Sequence, residues 1–419
     1  MPSKPNHRVV VISIDGFAAF YWNDPQARVP ALRRLAERGV VAAGVETVFP
    51  STTWPTHASL VTGVSPSAHG VVANYVWNRR TRMHEDLTGD PIYDAPDLLR
   101  APTVYDSAHA AGMRTAAIDW PATRNARTLH FNLPFFKDQH VFERWTARAV
   151  WDELTALGYP MGRQGEWAQL PKRFLKDAMV ASVAAHVVHR HAPDLLLMHF
   201  LCVDSLQHLH GPRSPEAYWA LEYVDGLIGR FLGGLSGETT VFVVSDHGFL
   251  PSTREIRPNV RLRVLGASRE ARFVTNHGAG ALYALDGDAG SIGQLTAEIA
   301  KMEGVSGAWT ASNFAALGLP TPAENALMGD AMFEAAPGYA FGDLADGVEE
   351  HGPPKYLGNH GQRAFYPDNH ALFVAAGPTI RRGVQLPVIR SRDIAPTVAV
   401  ALGVGMEGVE GRRLDSILA

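Results

Sequence analysis

A single cysteine, Cys202, in 419 residues leaves no internal disulfide framework and no cysteine-rich zinc site. Any metal this chain binds must therefore sit on histidines and carboxylates. Long apolar runs are also missing. A membrane span needs about 20 apolar residues, and the longest candidate, 195–203, is roughly half that and contains His199. Charge of one sign is lacking too: 38 Lys and Arg face 42 Asp and Glu, a net charge of -4. No broad basic field exists to hold a nucleic acid polymer or an anionic membrane, so an anionic ligand must be held locally. No repeat of fixed period and no low-complexity tract interrupts the chain. What is present is ordinary globular composition, 46% hydrophobic and 19% charged, in a length that allows two or three structural units.

The opening MPSKPNHRVVVISIDGF sets positive charge ahead of an apolar stretch, as a secretory signal does. The apolar part, 9–14, is shorter than the usual h-region, and no small-residue cleavage site follows. It reads as a first β-strand, and the chain as soluble and cytoplasmic. Short aliphatic runs predict strands at 8–14, 40–48, 114–118, 194–203, 239–245 and 371–376. Helical patterns fall at 30–38, 55–62, 103–111, 173–190, 215–232, 292–302 and 394–402. This alternation predicts an α/β fold with a central, mostly parallel sheet sandwiched by helices. Two stretches break the rhythm: 121–171, rich in Trp, Phe and Arg, reads as an insertion, and 251–350 as an inserted cap or smaller α+β lobe. The core is then 1–120, 172–250 and 351–419.

In open parallel sheets ligands bind beyond the carboxyl ends of the strands. Asp15 follows RVVVISI, Asp204 follows LLLMHFLCV and Asp246 follows TTVFVVS. Asp204-x-x-x-His208 spans one helical turn, so both side chains face one point; Asp246-His247 are adjacent on a Gly-containing loop; and His360 lies in Gly358-Asn359-His360-Gly361. Three carboxylates and three imidazoles suit zinc better than calcium or magnesium. Six ligands are too many for one open catalytic zinc, whereas two metals about 3.5–4 Å apart serve displacement at phosphorus. Ser51, Thr52 and Thr53 form a hydroxyl cluster ahead of a helix carrying Pro55 in its first turn, where N–H groups and the helix dipole favour a phosphate.

These residues resemble the type I phosphodiesterase/nucleotide pyrophosphatase branch of the alkaline phosphatase superfamily. The matching motifs are Ile14-Asp15-Gly16, Thr53-Trp54-Pro55-x-His57 with Leu60-Val-Thr-Gly63 and His69-Gly70-Val71, Asn74, Asp204-x-x-x-His208, Asp246-His247-Gly248, and Gly-x-His360-Gly with Ala371-Leu-Phe-Val-Ala-Ala-Gly-Pro378. The resemblance implies an alkaline-phosphatase-like core with two Zn2+ per chain. Thr53 would be the metal-bound nucleophile, with Ser51 and Thr52 as fallbacks. Asp15, Asp246 and His247 would hold the metal beside it, and Asp204, His208 and His360 the other. Asn74 would donate to a non-bridging phosphate oxygen. Attack by Thr53 would give a phospho-threonine that water releases with net retention at phosphorus.

Trp54 falls where the family places an aromatic against a nucleobase, and Tyr75, Trp77 and Trp120 could add faces. Leu99-Arg-Ala-Pro-Thr103 and Asn276-His277-Gly are also similar to phosphonoacetate hydrolase. That enzyme holds a carboxylate with lysines after the strand matching 114–118; here Asp119-Trp120-Pro121-Ala122-Thr123-Arg124 stands there, and Arg124 is the candidate anion holder. Ser51 lacks the C/S-x-P-x-R frame of sulfatases. The expected function is phosphodiester hydrolysis, with nucleotide pyrophosphates as a subclass. The alternatives are a C–P (phosphonate) hydrolase or phosphomonoesterase on the same core, or a non-catalytic metal-stabilised binding protein. The expected partner is a small phosphoester or phosphonate, with neither nucleic acid polymer nor membrane. His57, His69, His277, His351 and His370 are left as structural or supporting residues.

Overall fold

Aliphatic runs buried on both faces become one eight-stranded sheet in the computed structural model, which describes residues 8–88, 93–285 and 289–419. The charged segment ahead of Arg8 lies outside the described residues. In chain order the strands are β1 (Arg8–Ile14), β2 (Gly39–Glu46), β3 (Thr115–Ile118), β4 (Phe131–Leu133), β5 (Leu195–Phe200), β6 (Thr239–Val244), β7 (Phe373–Ala376) and β8 (Val384–Arg390). Their order in space is β8-β2-β7-β6-β1-β5-β3-β4. All neighbours are parallel except β7, which runs antiparallel to both β2 and β6.

The helices used below are α1 (Pro30–Glu37), α2 (Thr53–Thr62), α3 (Val104–Ala110), α4 (Arg148–Ala156), α5 (Arg173–Arg190), α6 (Cys202–His210), α7 (Pro215–Gly233) and α8 (Ile394–Leu402). Alternate residues of β1 feed two different cores, as a period of two demands. Val10, Ile12 and Ile14 pack with Val183 and Val187 of α5 and Leu221 and Val224 of α7. Val9 and Val11 pack on the other face with Val61 of α2, Ala108 of α3 and Val398 of α8. Helices on both faces confirm the expected α/β sandwich.

The structure departs from the sequence expectation in several places, among them the edge strand β8, where none was expected, and three that bear on the rim and the sheet. The run 194–203 is not one strand: β5 ends at Phe200, Leu201 turns (φ -115°, ψ -18°), and α6 begins at Cys202. The carboxylate of Asp177, on α5, accepts the N–H groups of Leu201 and Cys202 at 2.8 Å each, satisfying amides that α6 leaves open at its start. Helix α2 starts at Thr53, two residues before the expected position, because proline fits anywhere in a first turn where amide protons are unpaired. Finally, Phe131–Leu133, within the stretch set apart at 121–171, pairs with β3 and extends the central sheet.

Beyond β6 the chain leaves the sheet. Ala271–Asn276, Ala279–Ala284, Ala331–Ala335 and Val305–Thr310 form an antiparallel sheet covered by the helix Ile292–Ala300. The strand Leu250–Ile256 pairs with Gly338–Phe341, His351–Gly352 and Gly358–Asn359, which returns the chain to His360. Among the described residues, no helix is long and apolar enough to cross a membrane.

Candidate active site and metal centre

Because β1, β5 and β6 run parallel, their carboxyl ends open on one rim. Ile14 is level with Phe200, and Ser13 with Val244, so Asp15, the start of α6 and the Ser245-Asp246-His247 turn emerge side by side. Gly16 takes φ +71°, and its N–H donates to Asp246 Oδ1 at 3.1 Å. A Cβ at this position would stand 3.1 Å from the Asp204 Cα and 3.0 Å from Phe249, so only glycine lets the two carboxylate-bearing segments close up. Gly361 serves His360 in the same way: at φ +115°, a Cβ there would lie 2.5 Å from the Asn276 carbonyl.

The six sequence-selected donors come together in two sets. In the first, His247 Nε2 lies 3.2 Å from Asp15 Oδ1 and 3.3 Å from Asp246 Oδ2. In the second, Asp204 Oδ1 lies 3.1 Å from His208 Nε2 and 3.7 Å from His360 Nε2. The His247 and His360 rings stack at 3.6 Å between centroids, which places the sets next to each other. All three imidazoles are oriented alike. Nδ1 of His208, His247 and His360 faces the carbonyls of Gly358, Gly248 and Ser51 at 2.9, 3.0 and 2.9 Å. A carbonyl only accepts, so in the neutral ring Nδ1 carries the proton and Nε2 holds the lone pair, aimed inward.

Asp15 Oδ1, Asp204 Oδ1, Asp246 Oδ2 and His247 Nε2 are buried and make no hydrogen bond. Buried polar atoms are rarely left this way, and here they converge on one another. Burial, together with the neighbouring carboxylates, pushes Asp15 and Asp246 above the usual carboxylate range. Burial would also raise Asp204, but His208, His360 and Arg173 hold it well below that range. Burial opposes a charge on His247, yet Asp246 and Asp15 push it up to about 9. Three buried acids that draw a proton onto an imidazole are short of positive charge, which a divalent cation would supply. The donor set therefore fits borderline divalent metals.

The three hydroxyls of the Ser-Thr-Thr run have different environments. Ser51 Oγ is tied to Thr47 Oγ1 at 2.6 Å, and Thr52 is fully buried. Thr53, the first residue of α2, lines a cavity of about 180 Å³ together with Asp15, Asp204, His208 and His360. Its carbonyl accepts from His57 Nδ1 at 2.8 Å, and His57 also approaches Asp246 at 3.6 Å. Asn74 lines the same cavity. Its Oδ1 accepts the Trp54 N–H at 2.8 Å, which leaves its Nδ2 as a donor. Asn276 fixes this segment by accepting the N–H groups of Asn74 and Tyr75 at 3.0 and 2.9 Å.

Trp54 and Tyr75 line the cavity as expected, whereas Trp120 does not reach it. Asp119 takes φ +58°, and Trp120 lies buried edge-on against His57, at 4.9 Å between centroids. Trp77 belongs to a separate apolar cluster with Phe49 and Trp309. Arg124 is paired with Asp94 at 2.7 Å and stacked on Trp145, outside the cavity. The cations that do line it are Lys137 and Arg173. Arg173 Nη1 donates to Asp204 Oδ2 at 3.2 Å, and Lys137 sits 3.3 Å from Asp86 and over the Tyr75 ring. Neither was selected from sequence, since each is an ordinary basic residue far along the chain from any motif. His277 also lines the cavity, 4.7 Å from the His208 ring. His69, His351 and His370 bond to protein groups away from it.

Residues 9–354 match the type I phosphodiesterase / nucleotide pyrophosphatase family. The chain belongs to that family. It is 30% identical over 258 residues to an uncharacterized pyrophosphatase/phosphodiesterase of Schizosaccharomyces pombe, covering 58% of this chain and 45% of that protein. It is 24% identical over 246 residues to human ectonucleotide pyrophosphatase/phosphodiesterase family member 1, covering 57% and 23%. The matches thus span less than half the length of these curated relatives. Among solved structures, murine ectonucleotide pyrophosphatase/phosphodiesterase 5 superposes with a TM-score of 0.73 at 19% identity, over 98% of this chain and all of that one. An inactive threonine-to-alanine variant of that protein, in complex with AMP, superposes at 0.74 and 19% identity over 99% and 100%. These likenesses establish the alkaline-phosphatase-like fold.

Proposed function

We propose that this chain is a metal-dependent phosphodiesterase, with nucleotide-type pyrophosphates among its substrates, that works through two zinc ions and a phospho-threonine. The observation that carries this reading is the convergence of six buried donors in two adjoining sets, with their free lone pairs facing one another. Asp15, Asp246 and His247 would hold one ion beside Thr53, and Asp204, His208 and His360 the other. Bound there, the pair supplies Lewis-acid stabilisation of the attacking and leaving oxygens.

The protein groups do the rest. Thr53 Oγ bonds to phosphorus as the first leaving-group oxygen departs, and a water oxygen then replaces Thr53 Oγ on the same phosphorus. Two inversions leave net retention. Thr53 is favoured over Ser51 and Thr52 because it alone of the three borders the cavity. Its place at the start of the ten-residue α2 sets the positive end of the helix dipole beside the phosphoryl group. Asn74 Nδ2 donates to a non-bridging oxygen as charge builds there. Trp54 and Tyr75 supply aromatic faces for the organic part of the substrate, in keeping with the AMP complex of the murine relative.

A monoester or phosphonate reading draws on one feature, the added positive charge of Lys137 and Arg173 at the cavity wall. Release of p-nitrophenol from a matched diester, monoester and phosphonate monoester separates the readings. Diester preference abolished by EDTA and by Thr53→Ala is expected, with Thr53→Ala keeping its metal and fold while turnover falls by several orders of magnitude. Near wild-type rates in that variant sink the phospho-threonine.

A further inference from the structure

Far from the cavity, Glu153 of α4, His186 one turn before the end of α5 and His191 just beyond that helix meet at the surface. His186 Nε2 lies 2.6 Å from Glu153 Oε1, and His191 Nε2 lies 2.8 Å from the same oxygen and 3.1 Å from Oε2. One donor atom from each residue falls within 4.8 Å of the other two. The two rings stand at 79° to each other, so both present the distal nitrogen to one point. The side chains are 29%, 21% and 35% exposed, which leaves one side of that point open to water.

We propose that Glu153, His186 and His191 form a third zinc site, separate from the cavity, with water as the fourth ligand. Two imidazoles and one carboxylate with an open position are a recurrent zinc shell, softer than the all-oxygen shells that calcium and magnesium prefer. Donors in a tetrahedral shell with bonds of about 2.0–2.1 Å stand roughly 3.3 Å apart. The contacts at 2.6 and 2.8 Å need to open by roughly 0.5–0.7 Å, which partly exposed side chains accommodate by small rotations.

The surroundings favour a cation independently of the three ligands. His191 directly follows the 18-residue α5, whose dipole leaves partial negative charge at its carboxyl end, offset by His189 and Arg190 in the same last turn. The nearby guanidinium of Arg114 is aimed at the His191 carbonyl, at 3.1 Å, and not at the carboxylate. The His191 ring also packs on Phe131 of β4, 5.1 Å between centroids. A metal here clips α4 to the far end of α5. The opposite end of that helix carries Arg173, the residue hydrogen-bonded to Asp204. At 1.5 Å per residue, the clip is about 20 Å from Arg173 along the helix, so its role is to hold the insertion and not to take part in chemistry.

The test is zinc content after exhaustive dialysis against about 1 µM free zinc, compared between wild type, the double variant His186→Ala/His191→Ala, and Glu153→Gln. Wild type is expected to retain one equivalent more than either variant, and its melting temperature to rise further on adding zinc. Diester turnover should be unchanged. Because the reading is a difference between chains, it holds whatever number of ions the cavity takes. Equal zinc content in wild type and variants overturns the site, as does an extra wild-type equivalent lost at 1 µM. If the double variant fails to fold, Glu153→Gln, which preserves size and hydrogen bonding to both imidazoles, decides alone.

Discussion

The two donor sets at the rim are built in different ways. Asp15, Asp246 and His247 stand directly on the ends of paired strands, and their separation is set by the backbone register of β1 with β6. Asp204 and His208 sit on a helix that no ladder of hydrogen bonds fixes, and His360 sits between the short Gly358–Asn359 pairing and the Gly361–Ser51 bridge. Side chains from α5 hold that helix instead: Arg173 grips Asp204, and Asp177 caps the amides of Leu201 and Cys202. One set is therefore specified by the sheet, the other by long-range polar contacts that a single substitution can loosen.

The largest expected effect falls on the sheet-built set. Asp246→Asn removes a ligand charge from the ion proposed beside Thr53, and should abolish turnover together with about half of the cavity zinc, read by metal analysis and diester assay. Full occupancy in that variant would remove Asp246 from the site. Next in size is Asn74→Ala, which deletes a donor outside both sets. A drop of about 10²–10³-fold in kcat with metal content intact is expected; an effect confined to KM would reassign Asn74 to ground-state binding.

Smaller effects test the helix-built set. Asp177→Asn keeps the size of the cap but weakens its hydrogen bonds. It should cost about 1–3 kcal/mol of stability and about tenfold in affinity for one cavity ion, while the other ion binds as in wild type. Equal weakening of both would show that the sets do not have separate supports. A separate effect appears only in acid. Burial pushes His69 down to about 3 from an ordinary 6.5, so on unfolding it takes up a proton at intermediate pH. Its contribution to stability is complete above pH 6.5 and falls away toward pH 3, by an amount on the order of a few kcal/mol. His69→Gln should flatten the acid limb of the melting curve between those values, and an unchanged slope would show that another group governs it.

The same contrast explains what could be read from the chain alone. Strands buried on both faces advertise themselves as aliphatic runs, so the rim and its acids were placed correctly, and helices α5 and α8 were bounded to the residue. The break at Leu201 was hidden because LLLMHFLCV is equally apolar as strand and as helix, and the cap that ends the strand comes from Asp177, more than twenty positions earlier. Arg173 and Lys137 escaped notice for a related reason: a basic residue becomes part of a site only through the distant carboxylate it faces. Trp120 was misread because the left-handed turn at Asp119, which sends the ring into the core, is encoded by no glycine. The tautomers of His208, His247 and His360 depend on carbonyls scattered along the chain, two of them far from the imidazole they serve.

The antiparallel strand β7 has a consequence for how the molecule is made. It lies between β2 and β6, so the halves of the central sheet meet only through Phe373–Ala376. Until a ribosome has passed Ala376, β2 and β6 each present an unpaired apolar edge, open to pairing with other nascent chains. Closing that gap links partners more than 300 residues apart, a search that makes completion of the sheet a late and slow event in folding. Truncations that stop short of Phe373 should therefore accumulate as aggregates, even though every donor around the cavity has already been synthesised.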